Sequence, residues 1–141
     1  MSGLGSVCAL SAEQVEELWP EIEPFLVRFE RETATVTASA LRAMAKACEA
    51  QFWAAQAASG ALVGVCVTRV YQTDLGRFCT VFVAQGALAP YLAEGMELIE
   101  DWARGLGCRA VEIIGRKGWE RALEGYVPRA VVLEKRLTEF H

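Results

Sequence analysis

The chain has 141 residues, of which 53% are hydrophobic and 23% charged, and its formal net charge is −4. This composition is typical of a globular protein rather than a disordered chain, and we expect one domain covering residues 1–141. The acidic balance argues against a general nucleic-acid binder, which favours a basic surface. Neither an apolar run of about 18 residues nor a signal-peptide pattern is present, so we expect no membrane span and a cytoplasmic location.

The cysteines argue against metal and thiol chemistry. Five of them are widely spaced without a CxxC pair, and the single histidine, His141, ends the chain. A zinc site therefore lacks its ligand spacing, and a cysteine nucleophile lacks a histidine base. We predict buried, reduced thiols at Cys8, Cys48, Cys66, Cys79 and Cys108.

The N-terminal third is predicted to be helical. Ser11-Ala-Glu-Gln14 has the form of a capping box, and apolar residues then recur at three- and four-residue steps as far as Phe29. Pro20 and Pro24 interrupt this face, so we expect a kink or two short helices over residues 12–31. A further helix is predicted over residues 38–49.

A three-stranded meander should follow. The stretch QFWAAQAA (51–58) is ambiguous, because its alanines could extend the preceding helix, but the turn at Ser59-Gly60 favours a strand. The valine-rich residues 61–73 predict the second strand. After a turn at residues 74–76, residues 77–84 predict the third strand. Apolar residues occupy both its odd and its even positions, which indicates a central strand covered on both faces.

The next part of the chain predicts a β-α-β unit. A helical apolar stripe follows Pro90 and ends at Gly105-Leu-Gly107, and residues 108–114 form another apolar run. The two flanking strands should therefore be parallel. A short helix (118–125) and a last strand (130–137) complete the prediction. The fold class is α/β, with a mixed, mostly antiparallel sheet, a central parallel β-α-β unit and helices on both faces.

The residues 81–95, VFVAQGALAPYLAEG, raise the question of phosphate binding. They read as a strand, a short loop with one glycine, and a helix that opens near Pro90. A helix N-terminus placed this way often binds phosphate groups.

The order of elements resembles the GCN5-related N-acetyltransferase (GNAT) superfamily. The most specific residues are WARGLGCRAVEIIGRKGWERALEGY (102–126) and VVLEKRL (131–137). The same residues are similar to small GNAT-like proteins of tailed bacteriophages and prophages.

The resemblance implies that acetyl-CoA lies in a V-shaped gap where residues 77–84 and 108–114 splay apart. It also implies that one strand holds the pantetheine arm and polarises the thioester carbonyl. A carboxylate or water chain then deprotonates an amine, and a tyrosine protonates the thiolate. The cofactor-binding residues so implied are Phe82, Val83, Ala84, Gln85, Gly86 and Ala87.

The diphosphate loop departs from the family pattern Q/R-x-x-G-x-G/A. Starting from Gln85, Leu88 and Pro90 occupy the positions where small residues are expected. Proline also lacks an N–H donor, although it is a favourable first residue of a helix. We therefore predict a degenerate loop with weak or absent acetyl-CoA binding, while the helix dipole leaves weak anion binding open.

Two residues are candidates for proton transfer. Glu112 lies within an apolar strand, and a buried carboxylate holds its proton more tightly, as a base near neutral pH requires. The alternative is an ordinary solvated glutamate. Tyr126 is the candidate proton donor, although Arg121 stands where the family's tyrosine is expected and Tyr126 could instead pack beneath the sheet.

Arg116 and Lys117 lie between the second parallel strand and the next helix, at the rim where open α/β sheets bind ligands. They could bind a phosphate of the cofactor, or they could keep the turn soluble.

Two functions follow from these observations. One is an N-acetyltransferase that moves an acetyl group from acetyl-CoA to an amine acceptor. The other is a non-catalytic phage or prophage protein that uses the GNAT scaffold as a structural component or to bind a host protein. The first places the chain in the cytoplasm of a bacterial host, and the second also allows association with the virion.

Overall fold

The computed structural model describes residues 5–33, 35–115 and 118–138. Two 3-10 turns, Ala89–Tyr91 and Trp119–Arg121, accompany nine longer elements among these residues. In chain order the elements are β1 (Ser6–Leu10), α1 (Ala12–Glu17), α2 (Trp19–Thr33), α3 (Ala38–Lys46), β2 (Gln51–Gln56), β3 (Leu62–Thr73), β4 (Gly76–Gly86), α4 (Leu92–Gly105) and β5 (Cys108–Ile113).

The strands form one sheet in the order β1-β2-β3-β4-β5. Neighbouring strands are antiparallel except for β4 and β5, which are parallel and joined through α4. The predicted mixed sheet and its β-α-β unit are therefore confirmed, and β5 lies at the edge of the sheet that the described residues form.

The sheet is covered on both faces by helices. On one face, α1, α2 and α3 cover the sheet, and Ile22 and Leu26 of α2 are buried in one apolar cluster with Phe52 and Val65 of the strands. On the other face, α4 packs through Met96 and Ile99 against residues that include Trp53, Cys79 and Val81. The strands contribute side chains to both faces because successive residues point in opposite directions.

The predicted start of the N-terminal helices is confirmed. The hydroxyl of Ser11 accepts the Gln14 backbone N–H, and the Gln14 side chain accepts the Ser11 N–H, which completes the capping box. The region forms two helices separated at Leu18. α3 ends at Lys46, earlier than predicted, because Cys48 adopts a left-handed φ of 56° that a continuing helix excludes.

One strand was missed by the sequence analysis. β1 pairs antiparallel with β2, with Val7 opposite Ala55 and Leu10 opposite Phe52. Its five residues carry no strong alternation, and its pairing depends on a partner more than forty residues away along the chain.

The last predicted strand is wrong. Residues 130–137 form no strand in the described part of the chain, and their large apolar side chains are exposed. The predicted helix over 118–125 is also reduced to the single turn Trp119–Arg121. The alternation of residues 130–137 is compatible with a strand, but a strand also needs a neighbour that completes its hydrogen bonds.

Candidate functional site

The two halves of β4 differ in their neighbours. From Arg77 to Val81, β4 pairs with β3 on one side and with β5 on the other, and the Ile114 N–H closes this ladder on the Val81 carbonyl at 3.0 Å. From residue 82 to residue 86, β4 has no partner in β5, whereas residues 83–86 still pair with β3. We call residues 82–86 the open half of β4.

A bulge begins the open half. Val83 lies opposite Val67, whereas Val81 lies opposite Thr68, so Phe82 is an extra residue without a partner in β3. The Ala87 N–H bonds to the Val63 carbonyl on β3. In an antiparallel pair, every second residue directs its backbone N–H and carbonyl towards the neighbouring strand. Since Ala87 bonds to β3, Gln85 and Val83 also face β3, and the N–H and carbonyl of Ala84 point away from it, towards the open side.

The loop after β4 uses its backbone donors internally. The N–H of Ala87 bonds to the Val63 oxygen at 2.9 Å, that of Leu88 to the Gly86 oxygen at 3.0 Å, and that of Tyr91 to the Leu88 oxygen at 2.8 Å. Pro90 has no N–H to offer. Gly86, with φ of 108°, makes the sharp turn that brings these groups together. A phosphate would therefore meet few free donors here.

The side chain of Leu88 points into the protein. It is 6% exposed and packs directly over Gly64 of β3, where an added Cβ would overlap the Leu88 methyl group. Near it, between α4 and the sheet, lies a cavity of about 30 Å³. That is the room of about one water molecule. The apolar lining includes Trp53, Ala84, Leu88, Met96, Ile113 and Trp119.

Glu112 lies on the face of the sheet opposite α4. Its carboxylate accepts hydrogen bonds from the Tyr71 hydroxyl and, at 2.9 Å, from the Thr80 hydroxyl. Glu112 and Tyr71 are both exposed, so the alternative of a solvated glutamate describes this carboxylate better than a buried one. The hydrogen bond to Glu112, followed by burial, raises the pKa of Tyr71, which stacks on Phe78.

Tyr126 lies on the other face. Its ring packs among the residues under α4, and its hydroxyl donates to Glu100 at 2.7 Å. Burial, and then the Glu100 carboxylate, raises its pKa. The two residues considered for proton transfer are therefore not brought together, because the sheet separates Glu112 from Tyr126.

The other residues considered in the sequence are the basic pair after β5 and the cysteines. Arg116 and Lys117 lie outside the described residues. All five cysteines are free thiols, but the prediction that they are buried is wrong for Cys48, which is exposed. Burial raises the pKa of Cys66 and of Cys79 to about 12. Within the described ranges, no group of acidic, cysteine or histidine side chains is arranged to hold a metal ion.

Sequence reasoning missed the neighbours of Glu112. Tyr71 lies on β3 and Thr80 on β4, and the register that places Thr80 beside Glu112 is a property of the β4–β5 pair. The alternation of each strand suggests which residues share a face, but it does not fix how adjacent strands are aligned.

The fold is shared with solved acetyltransferases. No family model matches the chain, and neither does any curated protein. An aminoglycoside acetyltransferase from an uncultured soil metagenomic sample matches with a TM-score of 0.66 and 18% identity, over 98% of this chain and 99% of that one. The ribosomal-protein-alanine N-acetyltransferase of Brucella melitensis biovar Abortus 2308 matches with a TM-score of 0.64 and 14% identity, over 96% and 99%.

A third similar structure belongs to a GNAT family protein. A GNAT family acetyltransferase from Staphylococcus aureus subsp. aureus USA300_TCH1516 matches with a TM-score of 0.61 and 12% identity, over 94% of this chain and 100% of that one. The chain has the GNAT fold. At these identities the likeness establishes the fold, and the chemistry must be argued from the residues of this chain.

The residues of this GNAT fold suit one part of acetyl-CoA better than the other. In the open half of β4, the backbone groups of Ala84 that point away from β3 pair with no strand of the described residues, and they suit the amides of a pantetheine arm. The loop does not suit the diphosphate, because the N–H groups of Ala87, Leu88 and Tyr91 are already bonded and Leu88 is buried in the core. The adjoining cavity of about 30 Å³ is also far smaller than an ordinary ligand pocket.

No helix among the described residues is both long and apolar enough to cross a membrane.

Proposed function

We propose that this protein is a GNAT-like N-acetyltransferase with a degenerate diphosphate loop, which binds acetyl-CoA weakly and transfers acetyl slowly to an amine. The proposal depends on one observation: the loop N–H groups of Ala87, Leu88 and Tyr91 are bonded to carbonyls of the protein. A loop that must break such bonds to bind a phosphate loses much of the binding free energy that free donors would supply. We expect a dissociation constant of about 1 mM, equivalent to about −4 kcal/mol.

In this proposal the open half of β4 holds the cofactor. Phe82, Val83 and Ala84 form the strand that lies along the pantetheine arm, and Gln85, Gly86 and Ala87 form the turn beneath the diphosphate. Ala84 is the best supported of the six, because its backbone groups point to the open side. Arg116 and Lys117 would add positive charge at the rim of the same gap. When bound, acetyl-CoA supplies the acetyl group as a thioester.

The proposed base is Glu112. Its carboxylate is exposed on the face away from α4, where an amine from solution has access to it. Thr80 and Tyr71 donate to the carboxylate and fix its position, and Glu112 takes the proton that the amine loses as it attacks. Tyr126 was the candidate proton donor for the thiolate, but its hydroxyl is directed to Glu100 beneath the sheet, which favours a role in packing.

Calorimetric titration with acetyl-CoA tests the cofactor part of the proposal. Weak binding with a dissociation constant of about 1 mM is expected. Binding in the micromolar range would contradict the degenerate loop, and no heat at several times that concentration would contradict the enzyme.

Glu112→Gln tests the base. Release of the CoA thiol is followed with an amino sugar and with a peptide that has a free α-amino group as acceptors. The variant should lose about a hundredfold or more of the rate while binding acetyl-CoA as before. Glu97→Gln, an exposed carboxylate on α4, is the matched control and should keep the rate. Equal rates in the two variants would remove Glu112 from the reaction.

A non-catalytic protein-binding role on the same scaffold is the second candidate. It is favoured by the buried Leu88, which fills space beside the gap, and by the exposed apolar residues near the C-terminus. The resemblance to phage and prophage proteins points in the same direction, towards a structural component or a binder of a host protein. The absence of acetyl-CoA binding in the titration would select this candidate.

A further inference from the structure

Three residues of neighbouring strands form one row across the sheet. Arg69 of β3 lies opposite Thr80 of β4, and Thr80 lies opposite Glu112 of β5. Residues that lie directly opposite in neighbouring strands have their side chains on the same face, so all three lie on the face away from α4. Two strand spacings of about 4.8 Å separate the Cα atoms of Arg69 and Glu112 by roughly 10 Å. The row therefore carries a positive and a negative charge on one face.

The positive charge of this row has no carboxylate partner. Among the residues that the structure describes, the guanidinium of Arg69 forms neither an ion pair nor a hydrogen bond. Its central carbon lies 5.0 Å from the centroid of the Phe82 ring, which is a cation–π contact. Phe82 begins the open half of β4, so this contact places the positive charge beside the gap. A guanidinium over a ring still has its N–H donors, and their fork suits a carboxylate.

The negative charge of the row also forms no ion pair within the described ranges. The Glu112 carboxylate accepts from two neutral hydroxyls, those of Tyr71 and, at 2.9 Å, of Thr80. These bonds hold the carboxylate in place without neutralising it. Arg69 and Glu112 therefore share a face without pairing with each other. A ligand with an amine at one end and an acidic group at the other is complementary to these two charges.

A second guanidinium acts on this face. The hydrogen bond to Glu112 and burial raise the pKa of Tyr71, and the positive charge of Arg129 works in the opposite direction. Arg129 is exposed and forms no ion pair with another residue of the described chain. These positive charges disfavour an acceptor whose groups are all cationic, since like charges brought together in a binding site cost free energy.

We propose that the acceptor is an amine that also carries a carboxylate, with its amine at Glu112 and its carboxylate at Arg69. The inference rests on the proposed acetyl transfer with Glu112 as the base, and it adds the chemical class of the acceptor. The guanidinium binds the carboxylate through two N–H donors, which orients the amine at the other end. The neutral amine nitrogen attacks the thioester carbon, so that a C–N bond forms and the C–S bond breaks. The amine proton passes to Glu112, and CoA leaves as a thiolate that takes a proton from solvent.

Matched acceptors test the role of the carboxylate. δ-Aminovalerate and its amide have the same primary amine and chain, so a difference in rate arises at the far end of the molecule. With the full chain and acetyl-CoA, kcat/KM should be at least about tenfold higher for the carboxylate, mainly through KM. γ-Aminobutyrate and ε-aminocaproate, each against its amide, read the spacing between the two charges. A blocked dipeptide with aspartate after its free amine, against the asparagine form, shows whether a free amino acid or a peptide supplies the carboxylate.

Substitution of Arg69 identifies the group that binds the carboxylate. Arg69→Gln removes the charge and should reduce the preference for δ-aminovalerate over its amide to about twofold or less, and Arg69→Lys should restore part of it. Arg104→Gln is the matched control, because Arg104 is an exposed residue of α4 on the other face, and it should keep the full preference. If Arg69→Gln weakened acetyl-CoA binding and left the preference intact, the inference would be overturned, because Arg69 would then contact the cofactor.

A titration without acetyl-CoA separates this inference from the proposed function. In NMR spectra of the full chain, δ-aminovalerate should shift the backbone amide signals of Arg69 and Thr80, and its amide should shift them far less. That result supports the carboxylate site even if no acetyl group is transferred. Equal shifts by the two probes, no shift by either at about 100 mM, or transfer to both at equal rates would overturn the inference. Transfer at equal rates would leave the proposed acetyltransferase standing.

Discussion

The two halves of β4 show how one strand can serve two purposes. Residues 77–81 are held by a strand on each side and carry the buried side chains of Cys79 and Val81. Residues 82–86 are held on one side, begin with a bulge and end in a left-handed glycine. Both halves have apolar residues, so the difference arises from where β5 ends and not from the composition of β4. The paired half gives rigidity, and the open half leaves backbone groups available.

The largest expected effect is at the paired half. Val81→Asp places a charge without a partner in the core under α4, and it should lower the free energy of unfolding by about 4 kcal/mol or more. Urea denaturation followed by circular dichroism measures this loss. Leu75→Asp, in the exposed turn before β4, is the control and should change the stability by less than about 0.5 kcal/mol.

A smaller effect is expected at the loop that follows the open half. Leu88→Ala removes a buried side chain packed over Gly64 and should cost about 3 kcal/mol. Leu98→Ala, on the outer side of α4, should cost far less, because that side chain is 37% exposed. Similar losses at the two positions would show that Leu88 does not close the loop against β3.

The contact between Leu88 and Gly64 can be measured directly. Gly64→Ala should destabilise the protein by about 1–3 kcal/mol, because the added methyl group overlaps the Leu88 side chain. In the Leu88→Ala background the same change should cost less, since the overlapping methyl group is gone. Additive losses in this double-mutant cycle would contradict the packing described for the loop.

A loss of about 1 kcal/mol is expected for Tyr126→Phe, which removes the hydrogen bond to Glu100 under the paired half. The pKa of Tyr126 is raised in the folded protein, so the protonated hydroxyl stabilises the fold below the unfolded-state pKa of about 10. That contribution is lost as the pH rises through the higher folded value. Denaturation at neutral and alkaline pH should therefore show a smaller alkaline loss in Tyr126→Phe than in the unmodified chain.

The smallest effect requires no substitution. If the backbone of Ala84 faces the open side, its amide should exchange with solvent much faster than the amides of Val83 and Gln85, which face β3. Residue-resolved hydrogen exchange by NMR measures the three rates. Equal protection at Ala84 and its neighbours would mean that the open half has a partner after all.

The sequence predicted the elements whose signals are local. The capping box at Ser11, the meander of β2 to β4 and the helical stripe of α4 were all found where the periodicity placed them. The departure of the loop from the diphosphate-binding pattern was also visible in the sequence, because Leu88 and Pro90 occupy positions where that pattern has small residues.

The tertiary structure alone decided which distant residues meet. Glu112 gained Thr80 and Tyr71 as neighbours from the register of three strands, and the same sheet separated it from Tyr126. β1 forms because the edge of β2 pairs with it, whereas residues 130–137 have the pattern of a strand and pair with no strand among the described residues. The spacing of apolar side chains indicates which secondary structure a segment is able to form. Whether it becomes a strand depends on hydrogen bonds to another segment, which no local pattern contains.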